Sequence, residues 1–213
     1  MIVAIDGPAG AGKSTTARTL AQRLGFRYLD TGAMYRALAG LAREQGVSPE
    51  DGDALGRLAA ASPVAFEDGR VRIAGQDVTE RIRAARIDRV VSAVARHEAV
   101  RRVMRERQRA LAQAGDAVVE GRDIGTVVCP DAEVKVYLVA DPEERARRRR
   151  DERPDVGDEA LSTDLRLRDE RDALRMQPAP DAEVIDTTRL TLEQVVERIE
   201  RMVAAKARAA ART

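Results

Sequence analysis

Apolar positions along the chain fall into short runs and helical stripes that alternate from the start. Ile2-Val3-Ala4-Ile5 is a buried-strand run that ends at Asp6. Ala17, Leu20, Ala21 and Leu24 then recur at helical spacing and predict a helix from Lys13 to Leu24, stopped at Gly25. Phe26–Asp30 reads as extended. A helix starting at Thr31 carries Met34, Leu38 and Leu41 inward and ends near Gly46. Ser48-Pro49-Glu50-Asp51 resembles a capped start with proline at the first helical position, for a helix reaching Ala61. Between 64 and 79 the pattern switches to alternation. Val64-Ala65-Phe66, Val71-Arg72-Ile73 and Val78 are short β-like pieces, separated by Asp68-Gly69 and by 74–77, and predict a meander inserted in a helical region. Helical spacing returns from 85 to 114, with a break near His97.

The second half repeats the alternation. Ala117–Glu120 and Val134–Val139 read as buried strands. Asp141-Pro142-Glu143-Glu144 is an N-cap, a proline and acids, opening a helix through Arg145–Arg153. Residues 154–158 break it, and a second charged helix covers about 160–174. Ala182–Asp186 is a last strand. Thr191-Leu192-Glu193-Gln194 is a capping box for a terminal helix with Val195, Val196, Ile199, Met202 and Val203 inward, and the tail from Ala204 is expected to fray. Strands alternating with helices predict an α/β fold on a parallel sheet, with ligands at the carboxyl ends of its strands. That edge carries the loop after Ile5, Asp30-Thr31, and Glu120-Gly121-Arg122-Asp123, three polar clusters expected to share one cleft.

The loop after Ile5 has its own signature. Gly7-Pro8-Ala9-Gly10-Ala11-Gly12-Lys13-Ser14 fits G-x-x-x-x-G-K-[ST], between a strand and a helix. Glycines let successive N–H groups turn inward onto phosphate oxygens, and the helix start adds N–H groups and partial positive charge. Lys13 is placed on the β- and γ-phosphates and the Ser14 hydroxyl on Mg²⁺. The residues assigned to the phosphates of ATP are Gly7, Pro8, Ala9, Gly10, Ala11, Gly12, Lys13, Ser14 and Thr15.

Composition narrows the partners. With 37 Lys+Arg against 36 Asp+Glu in 213 residues, the net charge is +1, which argues against a general nucleic-acid binder. Aromatic residues make up 2%, so the core must come from Val, Leu, Ile and Ala, and stacking platforms are scarce. Cys129 is the single cysteine and His97 the single histidine, which excludes an internal disulfide and a thiolate metal cluster. No leading segment reads as a signal peptide, and no apolar run is long enough to cross a bilayer. The expectation is a cytoplasmic monomer that acts on small molecules, not on membrane or nucleic acid.

A phosphate loop binds nucleotide; the reaction is selected by cations placed around the transferred group. Arg36 lies one turn into the helix after Asp30. Arg122 stands at a strand end. Arg168, Arg171 and Arg175 share a helix face, with Asp172 one turn after Arg168. The run Arg145–Arg150 reads as a solvated helix with internal ion pairs to Glu143, Glu144, Asp151 and Glu152, from which one or two arginines reach phosphate.

Four blocks then converge on one family. Asp6–Ser14, Asp30-Thr31-Gly32-Ala33-Met34-Tyr35-Arg36, Glu120-Gly121-Arg122-Asp123-Ile124-Gly125-Thr126-Val127-Val128 with Pro130-Asp131-Ala132, and Arg168-Asp169-Glu170-Arg171-Asp172 closely resemble the bacterial cytidylate kinases. The match runs in order over nearly the whole chain and includes the β-like insert at 64–79. The resemblance implies a P-loop three-layer sandwich with a central parallel sheet, a small β-containing monophosphate-binding insert and a helical lid. It implies core segments 1–35, 101–147 and 166–213, a monophosphate-binding region 36–100 and a lid 148–165. It implies transfer of the ATP γ-phosphate to CMP or dCMP with Mg²⁺, with Lys13, Arg36, Arg122 and Arg175 as catalytic residues. Arg36, Arg122 and Arg175 match residues that hold the acceptor phosphate. Ser92, Arg101 and Asp123 match those that read cytosine, and Arg168 and Asp172 match ribose contacts. Thr31, where serine is common, falls among the substrate-binding positions. Glu120 either holds a metal-bound water or anchors its loop, and stays outside the catalytic set.

Two other readings stay open at this level. A shikimate-type kinase expects a second acid soon after Asp30, where Thr31-Gly32 stand, and leaves the insert unexplained. A P-loop switch or nucleic-acid assembly protein fits poorly with the charge balance and the few aromatics.

Overall fold

The computed structural model describes residues 1–67, 69–152, 157–173 and 176–212; for Ala85, Arg89, Glu152, Asp158, Glu159, Ala160, Asp164, Arg168 and Arg171 the description stops at the backbone. The chain forms two compact units, one of residues 1–29 with 112–213 and the other of residues 30–111.

The first unit is built on a five-stranded sheet. Its strands are β1 (Ile2–Asp6), β2 (Arg27–Asp30), β6 (Ala117–Glu120), β7 (Val134–Val139) and β8 (Glu183–Asp186), in the order β2-β6-β1-β7-β8. β1 runs parallel to β6 with Ile5 beside Glu120, and parallel to β7 with Asp6 beside Tyr137. β8 runs parallel to β7. Central strands buried on both faces need continuous apolar runs, which is why β1, β6 and β7 lack the alternation of a half-exposed strand. The helices of this unit are α1 (Lys13–Leu24), α6 (Pro142–Glu152), α7 (Asp158–Asp172) and α8 (Leu192–Ala210); α1 and α8 pack on the sheet and α7 packs on α6. Ala17, Leu20, Val118, Leu138, Val196 and Ile199 belong to one buried cluster. The capping box of α8 forms as read: Gln194 N–H donates to the Thr191 hydroxyl at 3.2 Å, and the Gln194 side chain takes the Thr191 N–H at 2.9 Å.

The second unit holds α2 (Thr31–Glu44), α3 (Gly52–Ala61), α4 (Ala85–Ala95), α5 (Glu98–Gln113, of which 112–113 count with the first unit) and an antiparallel meander of β3 (Val64–Glu67), β4 (Arg70–Ile73) and β5 (Gln76–Asp77). Met34, Leu38, Leu55, Ile73, Val100 and Met104 are central to its core. As expected from the few aromatic residues, both cores are aliphatic.

Several local expectations need correction. Helix α3 starts at Asp51, not Ser48. Asp51 Oδ1 accepts the Ala54 N–H at 2.9 Å, while the Ser48 hydroxyl accepts the Glu50 N–H and closes a local turn instead. Strand β5 is Gln76–Asp77, inside the stretch read as a separator, because Ala74 (φ 49°) and Gly75 (φ 77°) alone make the turn. Val78 follows the strand, its N–H donating to Val71 O at 2.9 Å. The tail does not fray at Ala204: α8 continues to Ala210 through strong helix formers, though its side chains are exposed beyond Val203. The sequence also gave no sign of the π-helical turn over Ile124–Val128.

Candidate functional site: a phosphate cradle and its arginines

Residues 7–12 leave β1 and run into α1. Gly7 is forced by its neighbour: a Cβ there would lie 2.1 Å from Leu138 O on β7, and its φ is +141°. Gly10 is forced by α6, where a Cβ would meet Arg145 Cβ at 2.9 Å. The loop is thus pressed between the sheet and a helix, without room for side chains at either point.

The carbonyl oxygens of residues 7–11 each accept from a side chain. Arg122 Nη1 donates to Gly7 O at 2.5 Å and Lys13 Nζ to Pro8 O at 2.7 Å. Arg145 Nη1 donates to Ala9 O at 3.1 Å and Arg148 Nη1 to Gly10 O at 3.4 Å. The Thr187 hydroxyl, at the end of β8, lies 3.1 Å from Ala11 O and takes Arg148 Nη1 at 3.0 Å. Carbonyls held in this way set the opposite edges of the Pro8–Ala9, Ala9–Gly10 and Ala11–Gly12 peptides, their N–H groups, toward the concave side, the arrangement an anion needs, while the Gly7–Pro8 peptide has no N–H and the Ala11 N–H turns back to Pro8 O at 3.4 Å. Burial and the Arg122 guanidinium push the Lys13 ammonium well below the usual lysine range, against the pull of Glu120. Added negative charge in the cradle works in the opposite direction and favours the protonated amine.

Ser14 donates its hydroxyl to Glu120 Oε2 at 2.9 Å, and the Tyr28 hydroxyl donates to Glu120 Oε1. Glu120 is 3% exposed, so its carboxylate ties α1 and β2 to the end of β6. This anchoring is one of the two roles left open in the sequence. Asp6 takes the Ile124 and Gly125 N–H groups, both at 2.8 Å, and so starts the π-helical turn that follows Asp123. Burial is the largest influence on this carboxyl and, despite both N–H bonds, raises it to about 6.

Of the site residues read from the sequence, the first unit brings Lys13, Ser14, Arg122 and Asp172 around this cradle. Arg122 Nε pairs with Asp172 Oδ2 at 3.2 Å. Asp123 opens the π-helical turn and is half-buried. Pro8 and Gly12 are half-buried, Ala9 and Ala11 buried, and Thr15 exposed on the first turn of α1. Arg168 lies on α7, with a side chain beyond the description, and Arg175 lies outside the described residues. In the second unit, Asp30 caps α2 by accepting the Ala33 N–H at 2.8 Å, and Arg36 Nη2 pairs with Asp30 Oδ2 at 2.9 Å. Thr31 is buried (4% exposed) at the start of α2. Ser92 is buried on α4, and Arg101 is half-buried on α5.

The Arg145–Arg150 run splits as its pattern suggested. Arg147 is exposed and pairs with Glu144 and Asp151, an ordinary solvated ladder. Arg145 and Arg148 turn inward, but to loop carbonyls. Among the described residues no group of three His, Cys, Asp or Glu side chains could hold a metal ion, and no helix is long and apolar enough to cross a membrane.

A glycine loop that joins a parallel sheet to α1 and is pressed between that sheet and α6, with lysine and arginine bonded to it, defines a P-loop kinase fold. The solved gluconokinase of Sinorhizobium meliloti 1021 shares that fold, at TM-score 0.53 and 13% identity over 99% of this chain and 96% of that one. The family model "Cytidylate kinase" matches residues 3–205. Among individual relatives, the cytidylate kinase of Pelotomaculum thermopropionicum is 49% identical over 95% of this chain and 96% of that protein. That of Shouchella clausii is 47% identical over 92% and 93%. The chain belongs to the cytidylate kinase family.

Proposed function

We propose that this enzyme transfers the γ-phosphoryl group of ATP to CMP or dCMP, giving ADP and CDP or dCDP, without a covalent enzyme intermediate. The observation that carries the reading is the clamped phosphate loop in a chain 43–49% identical to several cytidylate kinases over most of its length. An acceptor phosphate is already a nucleophile near neutral pH, so the work left to the protein is positioning and charge stabilisation.

In the first unit, residues 7–15 take the ATP phosphates, and Lys13 and Arg122 balance charge as it spreads on the transferred group. Arg122 and Arg175 take the acceptor phosphate, Asp123 the cytosine N4 amino group, and Arg168 and Asp172 the ribose. In the second unit, Arg36 takes the acceptor phosphate, and Ser92 and Arg101 read the base. Thr31 is taken as a further substrate-binding position. The Ser14 hydroxyl and the buried Glu120 carboxylate, 2.9 Å apart, form a hard oxygen pair of the kind Mg²⁺ accepts while keeping waters and phosphate oxygens as its other ligands. When bound, the ion would neutralise phosphate charge. The reading takes the enzyme as a cytoplasmic monomer acting on small molecules; the balance of 37 cations with 36 anions supports the exclusion of nucleic acid.

Base choice tests this reading. Cytosine offers Asp123 a donor; uracil offers an acceptor, which leaves the carboxylate facing a lone pair. An unpaired buried polar group costs about 1–3 kcal/mol, enough for roughly tenfold discrimination. In a coupled assay of ADP release, CMP and dCMP should be at least about tenfold better acceptors than UMP; AMP, whose base carries an amino donor of its own, enters as the fourth acceptor. Equal rates with all four would remove the base-reading role of Asp123.

A further inference from the structure

Two of the arginines that hold the phosphate loop turn a second nitrogen to helix α7. Arg122 reaches Gly7 O through Nη1 and pairs through Nε with Asp172 at 3.2 Å. Arg145 reaches Ala9 O through Nη1 and pairs through Nη2 with Asp169 Oδ2 at 2.6 Å. Asp169 and Asp172 stand three apart on one helix, so they share a face. Two parallel bridges therefore run from alternate carbonyls of the loop to one side of α7.

The bridges are unequal. Arg122 and Asp172 both carry proposed substrate contacts, so a nucleotide competes for the atoms that make the first bridge. Neither end of the second has a substrate role. Its arginine also lies deeper: Arg145 is 8% exposed, and its backbone packs directly on Gly10. The second bridge is incompletely closed. Arg145 Nε and Asp169 Oδ1 are both buried without a hydrogen-bond partner among the described residues. One is a donor and the other an acceptor, left over from the same ion pair. A short advance of α7 along the guanidinium edge would join them and turn one bond into a two-bond fork.

We propose that Asp169, acting through Arg145, is a positioning residue that fastens α7 to the phosphate loop and passes nucleotide occupancy of the loop to the face of α7 bearing Asp172. The proposal rests on the reading of the loop as the ATP site and of α7 as part of the acceptor site. Phosphate held by the loop N–H groups fixes the peptide of Ala9, the Ala9 carbonyl fixes Arg145, and Arg145 fixes Asp169. The bridge that stays intact while substrate takes Arg122 and Asp172 keeps α7 in register.

Hydrogen exchange of the full-length protein with and without ADP tests it. ADP should slow exchange in α7 of the wild type. In Asp169→Asn, which keeps shape and removes charge, that added protection should fall about fivefold, the low end of usual coupling strengths. Protection of the loop and α1 by ADP should be unchanged. Glu170→Gln, which among the described residues cuts the exposed pair with Arg166, should behave as wild type. Arg145→Lys should reproduce the Asp169→Asn pattern, and the double variant should be no worse than either single one. Unchanged α7 protection in Asp169→Asn would overturn the proposal. So would a loss spread equally over β1 and α1, which marks a merely structural role. CMP is absent from this experiment, so a failed acceptor assay would count against the proposed reaction and leave this readout standing.

Discussion

Asp6 ends the central strand with both oxygens taken by N–H groups, yet burial raises its carboxyl to about 6 from a usual 3.8. Between these values the folded protein binds a proton more tightly than the unfolded chain. Its contribution to stability is therefore fully present below pH 4, falls as pH rises toward 6, and is flat above. The span corresponds to about 3 kcal/mol. Asp6→Asn removes this dependence. Its second side-chain atom is a donor facing a backbone donor, so at pH 7.5 it should still be less stable than wild type, by about 1–3 kcal/mol. Denaturant titrations of both proteins at pH 4.5 and 7.5 should show the gap widening toward acid; a gap that narrows would mean the backbone donors outweigh burial. A polar residue closing an apolar strand was visible in the sequence. What it caps was not, because Ile124 and Gly125 are separated from it by more than a hundred residues.

Elements whose signals are local were legible. The glycine loop, the stop at Gly25, the capping box at Thr191 and the break near His97 all stand where their own residues place them. Elements decided by competition were not. Ser48 and Asp51 are both good caps, and the two compete: Ser48 spends its hydroxyl on the Glu50 N–H of a local turn, and Asp51 caps the helix. The side of α6 that Arg145 and Arg148 choose depends on a loop far away in sequence. The 74–75 turn is a further case. Both residues need a left-handed backbone, and Ala74 takes it at φ 49° although such a conformation costs a non-glycine L-residue about 1–2 kcal/mol. Asparagine tolerates it better and is favoured at that position of a two-residue hairpin. Ala74→Asn should therefore stabilise the protein by about 0.5–1 kcal/mol without changing turnover. Thermal unfolding with a parallel kinase assay measures both, and a lower melting temperature would mean that the turn has another geometry.

The division of the chain into two units, each with its own aliphatic core, was only partly written in the sequence. The β-like insert marked a change of character, but the core of residues 30–111 draws on α2, α3, α4 and α5 as much as on the meander. Separate cores make separate local stabilities. Leu55 and Ile199 are both completely buried, one in each core. Truncation of either to alanine should cost its own unit about 2–5 kcal/mol, which accelerates exchange through local opening roughly thirtyfold or more. Leu55→Ala should act on amides of α3 and β4 and leave β1 and β7 as in wild type, and Ile199→Ala should do the reverse. Mass-spectrometric hydrogen exchange resolves these segments. If each substitution instead accelerates both sets equally, the two cores unfold as one cooperative body, and ligand effects in one unit must be read as changes in the stability of the whole chain.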